Sequence, residues 1–573
     1  AISILRGISI RMPLLIYGAD VNITEDITIE QLPSLVDNDS WAEFMPTGVT
    51  KALFKKFIKY YDPEIFIAAG RKIRAEAYSA DALPPLERVQ KITALFSCFK
   101  NPDKETVLTP WRVVNMHMSD CLGGYDFYDE AHNERIEQPR FVDCGEVTAR
   151  TLGNAGAAIL EINSKTGLYP LYVTYSIFRA KCAACSVEQP VAALQQKLWD
   201  ETVRENIFVI CKTPMAKSIT RRTLVGFREA AANLYSPEKL IDKLKNKSEA
   251  EKFTRKVLKK SFWNQNGGGN MKFNAVVGNP PYQLMDGGSK ASATPVYNYF
   301  VEQGKNLQPE YLSMIIPARW YSGGRGLDAF RESMIHDNRI EKLFDFTDSN
   351  DLFAGVDIAG GICYFLWSQE YSGECAVTNY HNGERVLSNR SLNSGNVFVR
   401  HSQALSIINK VCGKEQVFFD SCVSSQKPFG LRTYVVPTES GDIQLRYNKG
   451  IGPFSREKVT TGIEWIDKWK VIMSYLTYDH AGRADKDGRR RIFSTTEIIP
   501  PRTVCTETYI VISAFDTENE AKNLVTYLKS KFVRFLVAQR TSTQHISKAS
   551  FSLVPMQDFS KPWTDAELYE KYG

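Results

Sequence analysis

Residues 273–283 read FNAVVGNPPYQ. The first five form a short apolar run with two valines, and Gly278 and a proline pair close it, which is the pattern of a buried strand that ends in a turn. Successive prolines lock φ and carry no N–H, so the Asn279 side chain and the Pro280 carbonyl sit on a stiff, donor-poor turn. Such a turn presents acceptors. An exocyclic amino group donates two hydrogens, and two converging carbonyl oxygens would take both while turning the nitrogen lone pair toward an electrophile. Tyr282 offers a flat face on which a base could stack, an interaction worth about 1–3 kcal/mol. A proline turn that merely closes a strand has the same local features, so the flanking sequence has to decide between them.

Outward from this point, short apolar runs alternate with longer segments: AAILEI at 157–162 and IFVIC at 207–211 upstream, then YLSMII at 311–316, IEKLFDF at 340–346 and GICYFLW at 361–367. Strands separated by helical runs predict βαβ units and a parallel sheet covered on both faces, an α/β fold. Residues 1–104 contain helical-period stretches, such as 52–61 and 87–99, and are expected to form a helical connector. The apolar N-terminus (AISILRGISIRMPLLIYGAD) reads as strand-like, and Arg6 and Arg11 exclude a signal peptide or a membrane span. The lysine-rich segment 236–260 predicts an exposed helix, and Gly267–Gly269 a loop. Beyond about residue 400, short β-like pieces, prolines and the cluster GRADKDGRRR predict a separate α+β module over 401–573.

Composition sets the outer bounds. With 573 residues, 43% hydrophobic and 24% charged, the chain is globular and long enough for several domains. Its net charge of +6 is too small to argue for nucleic acid, but residues 421–573 hold 22 basic against 17 acidic residues and so carry nearly all of the excess. Eleven cysteines, an odd count without framework spacing, fit the reduced thiols of a cytoplasmic protein. The lone Cys182/Cys185 pair lacks the second pair that zinc requires, so no metal site is assigned. The start at Ala1 and the stop inside a helix-like segment read as a piece of something longer.

With these elements in order, the chain resembles the amino-methylating DNA methyltransferases that use S-adenosyl-L-methionine, and particularly the adenine-N6 methylase region of fused type II restriction–modification proteins. The likeness runs through most of the chain. In that family NPPY is catalytic. The resemblance places amino-group acceptors at Asn279 and Pro280, the rest of the rigid turn at Pro281 and the base-stacking ring at Tyr282. Transfer is direct, so no cysteine nucleophile or histidine base is needed, and the sulfonium supplies the electrophile. The stretch 157–179 is similar to the cofactor loop, which implies cofactor contacts at Glu161, Asn163, Thr166 and Gly167, with Lys165 standing where the family has its first glycine. Thr109-Pro110 resembles the element before that loop, which lines the methionine end of the pocket. KTPMA at 212–216 resembles the second cofactor element without the acidic residue that the family places near Cys211 for the ribose. Downstream, 314–334 resembles a substrate-lining loop, and 343–367 resembles a late β-hairpin in which Phe353 would pack against the target base.

The implied fold is therefore a Rossmann-like S-adenosylmethionine-dependent methyltransferase sheet over 105–400, between the connector and a C-terminal target-recognition domain. The implied partner is double-stranded DNA, contacted through Arg483, Lys486, Arg489, Arg490 and Arg491, with 424–433 and the polar loop 541–545 beside them. In relatives of this layout the upstream portion often carries helicase or nuclease functions. Three other readings fit parts of the pattern. Cytosine N4 methylation uses similar chemistry, and protein-glutamine methylation shares the tetrapeptide but not the basic C-terminal module. A non-catalytic DNA-specificity subunit would explain Lys165 and the missing ribose acid, but not an intact NPPY.

Overall fold

The computed structural model describes residues 2–99, 108–185, 191–284, 294–324, 326–381, 383–393, 398–477, 489, 491–541 and 545–573. All six apolar runs are strands of one nine-stranded sheet. Numbered along the chain, its strands are β1 (Ile159–Ser164), β2 (Ile207–Cys211), β3 (Asn233–Tyr235), β4 (Ala275–Gly278), β5 (Tyr311–Pro317), β6 (Ile340–Phe346), β7 (Ile362–Ser368), β8 (Cys375–His381) and β9 (Glu384–Arg390). Their order across the sheet is β3-β2-β1-β4-β5-β7-β6-β8-β9. The first five are mutually parallel. The parallel pairing expected from the alternating runs stops at β7, which runs antiparallel to both β5 and β6, the hairpin expected over 343–367. The cause lies in the connection: residues 347–361 contain only a 3₁₀ turn, and without a crossover helix the chain can return only beside β6 in the opposite sense.

Both faces of the sheet are covered, as successive side chains in each strand show. Ile159, Val209, Val277 and Ile315 enter one apolar core, and Leu160, Ile210, Val276 and Met314 the other. The helices that position the site are α1 (Ile2–Gly18), α2 (Asn38–Phe44), α3 (Trp111–Cys121), α4 (Leu168–Ala184), α5 (Pro214–Val225), α6 (Asp328–Ile335) and α7 (Lys531–Arg540). Among the described residues no helix is long and apolar enough to cross a membrane.

The strand-like reading of the N-terminus is a second correction, because α1 is a 17-residue helix with Pro13 inside it. Its β-branched composition favours strand only weakly. Ile8, Met12, Leu15 and Ile16 fall one and two turns apart and are buried together, and this packing decides the conformation. Contact with α5 is close enough that a Cβ on Gly18 would lie 2.3 Å from Ile219 Cγ1. Residues of this N-terminal part, among them Leu15, Trp41, Phe54 and Phe96, share the core that contains Ile159 and Val277. Two further cores contain only residues from 399 onward, gathered, among the described residues, around two three-stranded sheets and four α-helices.

Candidate active site

The sheet order reverses at β1: β2 and β3 follow on one side, β4 and β5 on the other. Crevices at the C-terminal ends of strands flanking such a reversal are where open α/β sheets bind ligands. Here the two ends nearly touch. Gly278 lies so close to β1 that a Cβ on it would be 2.5 Å from the Ile162 carbonyl oxygen. Just beyond β4, the Asn279 carbonyl accepts a 2.8 Å hydrogen bond from Asn163 Nδ2. Asn163 itself has φ of +77°, a left-handed conformation that asparagine tolerates better than most residues.

Thr109 fixes the Asn279 amide. It precedes α3, whose N-terminus is capped by Pro110, and its Oγ1 accepts from Asn279 Nδ2 at 2.9 Å. With the amide nitrogen committed, Asn279 Oδ1 is the acceptor left over, and it is buried without a hydrogen-bond partner. Asn163 Oδ1 and Glu161 Oε2 are in the same condition. An orphaned buried polar atom costs about 1–3 kcal/mol, so the two amide acceptors, with the carboxyl beside them, suit a ligand that brings hydrogen-bonding groups into this crevice. Burial pushes the Glu161 carboxyl up to about 8, against a small opposing effect of Ser164, so it holds its proton at neutral pH. A cationic ligand would draw that proton off.

Pro280 and Pro281 are buried, whereas Tyr282 is only partly so although its hydroxyl is sealed and without a hydrogen-bond partner. Burial raises the hydroxyl well above the usual phenol range; the nearby Asn279 side chain eases this slightly without completing a bond. Beneath the turn runs a buried polar chain that the sequence did not reveal. Ser313 on β5 donates to the Phe365 carbonyl, so its oxygen accepts from His117 Nε2 at 2.8 Å, and His117 Nδ1 in turn accepts from the Tyr169 hydroxyl at 2.7 Å. Burial lowers His117 to about 3, which keeps the ring neutral.

The remaining predicted residues are placed as follows. The Thr166 carbonyl accepts from Thr223 Oγ1 of α5 at 2.7 Å. Gly167 caps α4 with φ of +76°, and a Cβ there would meet Thr220 Cα at 3.0 Å, so helix packing alone demands a glycine. Lys165 points to Glu43 of α2 at 3.3 Å, and Lys212, just after β2, pairs with the same carboxylate. Against the burial that would raise it, these two lysines hold Glu43 at about 2. An acid thus stands beside the end of β2 after all, contributed from 169 residues upstream of Lys212. Phe353 is fully buried, with its backbone N–H on Ser349. It is a core residue here, and a base could reach it only if residues 349–358 opened. Arg489 and Arg491 are exposed, while Arg483, Lys486 and Arg490 lie outside the described residues.

Residues 205–353 match the family described as Eco57I restriction-modification methylase, a span that includes the 279–282 turn but stops short of Glu161, Asn163 and Thr109. Among individual proteins, an uncharacterized adenine-specific methylase of Mycoplasma pneumoniae is 34% identical over 154 residues, which make up 26% of this chain and 34% of that protein. The chain therefore spans about a third of the length of the curated relative it matches. Of solved structures, the Type IIL restriction-modification enzyme MmeI in complex with DNA aligns at 11% identity and a TM-score of 0.49, covering 94% of this chain and 78% of that one. A nuclease-deletion mutant of the Type ISP enzyme LlaGI, with a DNA substrate mimic, aligns at 11% identity and 0.45, covering 87% and 58%.

Proposed function

We propose that this chain is the modification part of a restriction–modification system and transfers a methyl group from S-adenosyl-L-methionine to N6 of adenine in duplex DNA. The observation that carries this reading is Asn279 Oδ1, a buried acceptor without a partner, oriented by Thr109 and followed by two prolines and a partly buried tyrosine. Oδ1 and the Pro280 carbonyl would take the two amino hydrogens of a flipped adenine, aim its lone pair and stabilise the positive charge that grows on the nitrogen. Tyr282 would stack on the base and help offset the cost of unstacking. The cofactor, when bound, supplies an electrophilic methyl. Glu161 and Asn163 would hold it at the sheet reversal, with Thr166 and Gly167 shaping the loop and Thr109-Pro110 closing the side by α3.

On this reading the sheet is a Rossmann-like methyltransferase domain over 105–400 and the separate cores beyond 399 belong to a target-recognition domain, with double-stranded DNA as the partner. Residues 1–104 serve as a connector that also completes the catalytic core. One observation favours a second reading: Glu43, the carboxylate beside the end of β2, is ion-paired to Lys165 and Lys212 rather than left open to a ribose, which a non-catalytic DNA-specificity subunit would tolerate. Calorimetry with S-adenosyl-L-methionine separates the two. Saturable binding is expected; no measurable heat, with DNA binding retained, would sink the enzyme.

A further inference from the structure

A cavity of about 440 Å³ lies between the sheet and the C-terminal module. Arg319, Gly323 and Gly324 line one wall, in the segment that leaves the C-terminal end of β5 on the same edge of the sheet as the Asn279 turn. Tyr475, Arg540 and His545 line the other. The two walls belong to different apolar cores, so folding of neither module alone accounts for the cations that meet here.

Arg540, at the end of α7, donates from Nε to Ser552 Oγ at 3.0 Å and makes no ion pair among the described residues. Burial, then the like charge of Arg331 on α6, pushes it down to about 10, and Asp420 only partly compensates. Arg331 is engaged by Glu332 and by the Tyr321 carbonyl, and Asp328, the carboxylate in the wall, accepts from Gly324 N–H at 2.8 Å. Arg319 and Arg540 thus bring two guanidinium groups to opposite walls of one cavity, with His545 beside Arg540 and Asp328 beside Arg319. Like charges so placed cost free energy unless an anion comes between them. A volume within the usual range of ligand sites, lined by arginine, histidine and hydroxyl groups, suits a tetrahedral oxyanion.

We propose that this cavity binds a phosphate group of the DNA backbone and so fixes the strand between the two modules. The inference rests on the DNA-methylating reading, and its test keeps the two apart. In the full chain, duplex affinity is measured against salt for wild type, Arg540→Gln and Arg319→Gln, alongside the rise in unfolding temperature that inorganic phosphate produces. The expected result is a fall in affinity of about tenfold for either variant, a salt slope shallower by about one, and loss of the phosphate-induced rise. If Arg540→Gln does not fold, Arg319→Gln, from the opposite wall, decides. Unchanged affinity and slope in a folded variant overturn the proposal. Loss of the phosphate effect with DNA binding intact would assign the cavity to a free phosphate and overturn its DNA role. A wild type that binds no DNA at all would count against the functional reading, and the phosphate arm would then decide the site alone.

Discussion

The two ends of the Asn279 amide are treated differently: the nitrogen is held by Thr109 and the oxygen is left open in a buried site. Thr109→Val keeps the shape and removes the acceptor. We expect kcat to fall about 10- to 100-fold, the equivalent of about 1–3 kcal/mol, with cofactor Kd nearly unchanged. A raised Kd at constant kcat would leave Thr109 with the cofactor-lining role alone. Glu161 supports a prediction about pH. Its folded value is about 8 against an ordinary 4.5, so between those limits the folded chain keeps a proton that the unfolded chain sheds. The stability it contributes is present below pH 4.5 and is lost as pH rises through 8. Urea unfolding of the ligand-free protein should therefore show Glu161→Gln gaining on wild type by a few kcal/mol between pH 4.5 and 8, whereas parallel curves would mean that Glu161 is already ionised. The Asn279 turn was legible at this scale because the end of the strand and its proline pair lie in consecutive residues. Its orienting bond was not, since Thr109 is 170 residues away and nothing local marks the pair.

Among the elements, the approach of β1 to β4 positions everything else. Gly278→Ala would drive a methyl into the Ile162 carbonyl, a backbone atom that cannot turn aside. A loss of about 1–3 kcal/mol and a weakened cofactor Kd are expected together, and loss of stability with normal binding would separate the strand contact from the site. Strands were readable because each is a short apolar run between turn residues and alternates between two cores. The sense of β7 came only from the hairpin resemblance of 343–367 and not from the apolar runs, and α1 was misread because its β-branched residues hide the spacing that buries it. The same limit concealed Glu43, whose helix carries its own cap at Asp37 but no sign of the lysines it meets. Glu43→Ala removes the carboxylate that two nearly buried cations share. Chemical unfolding should register a loss of about 3 kcal/mol, and a change under 1 kcal/mol would show that the lysines find other partners.

Across the whole molecule, the N-terminal helices share a core with the sheet while the C-terminal module keeps its own, so the basic module can be altered without unmaking the site. Neutralising Arg483, Lys486, Arg489, Arg490 and Arg491 together should flatten the salt dependence of DNA binding, and an unchanged slope would put the DNA elsewhere. Texture and charge marked the change near residue 400, where separate apolar cores begin, but the sharing of one core by the N-terminal helices and the sheet depends on contacts between residues far apart in sequence. The most direct measurement follows a labelled methyl group from S-adenosyl-L-methionine into duplex DNA, with analysis of the modified base, for wild type and Asn279→Ala. Label in N6-methyladenine from wild type, with at least a hundredfold less from the variant, is expected. Equal label in both, or none in wild type with cofactor and DNA bound, would contradict the assignment.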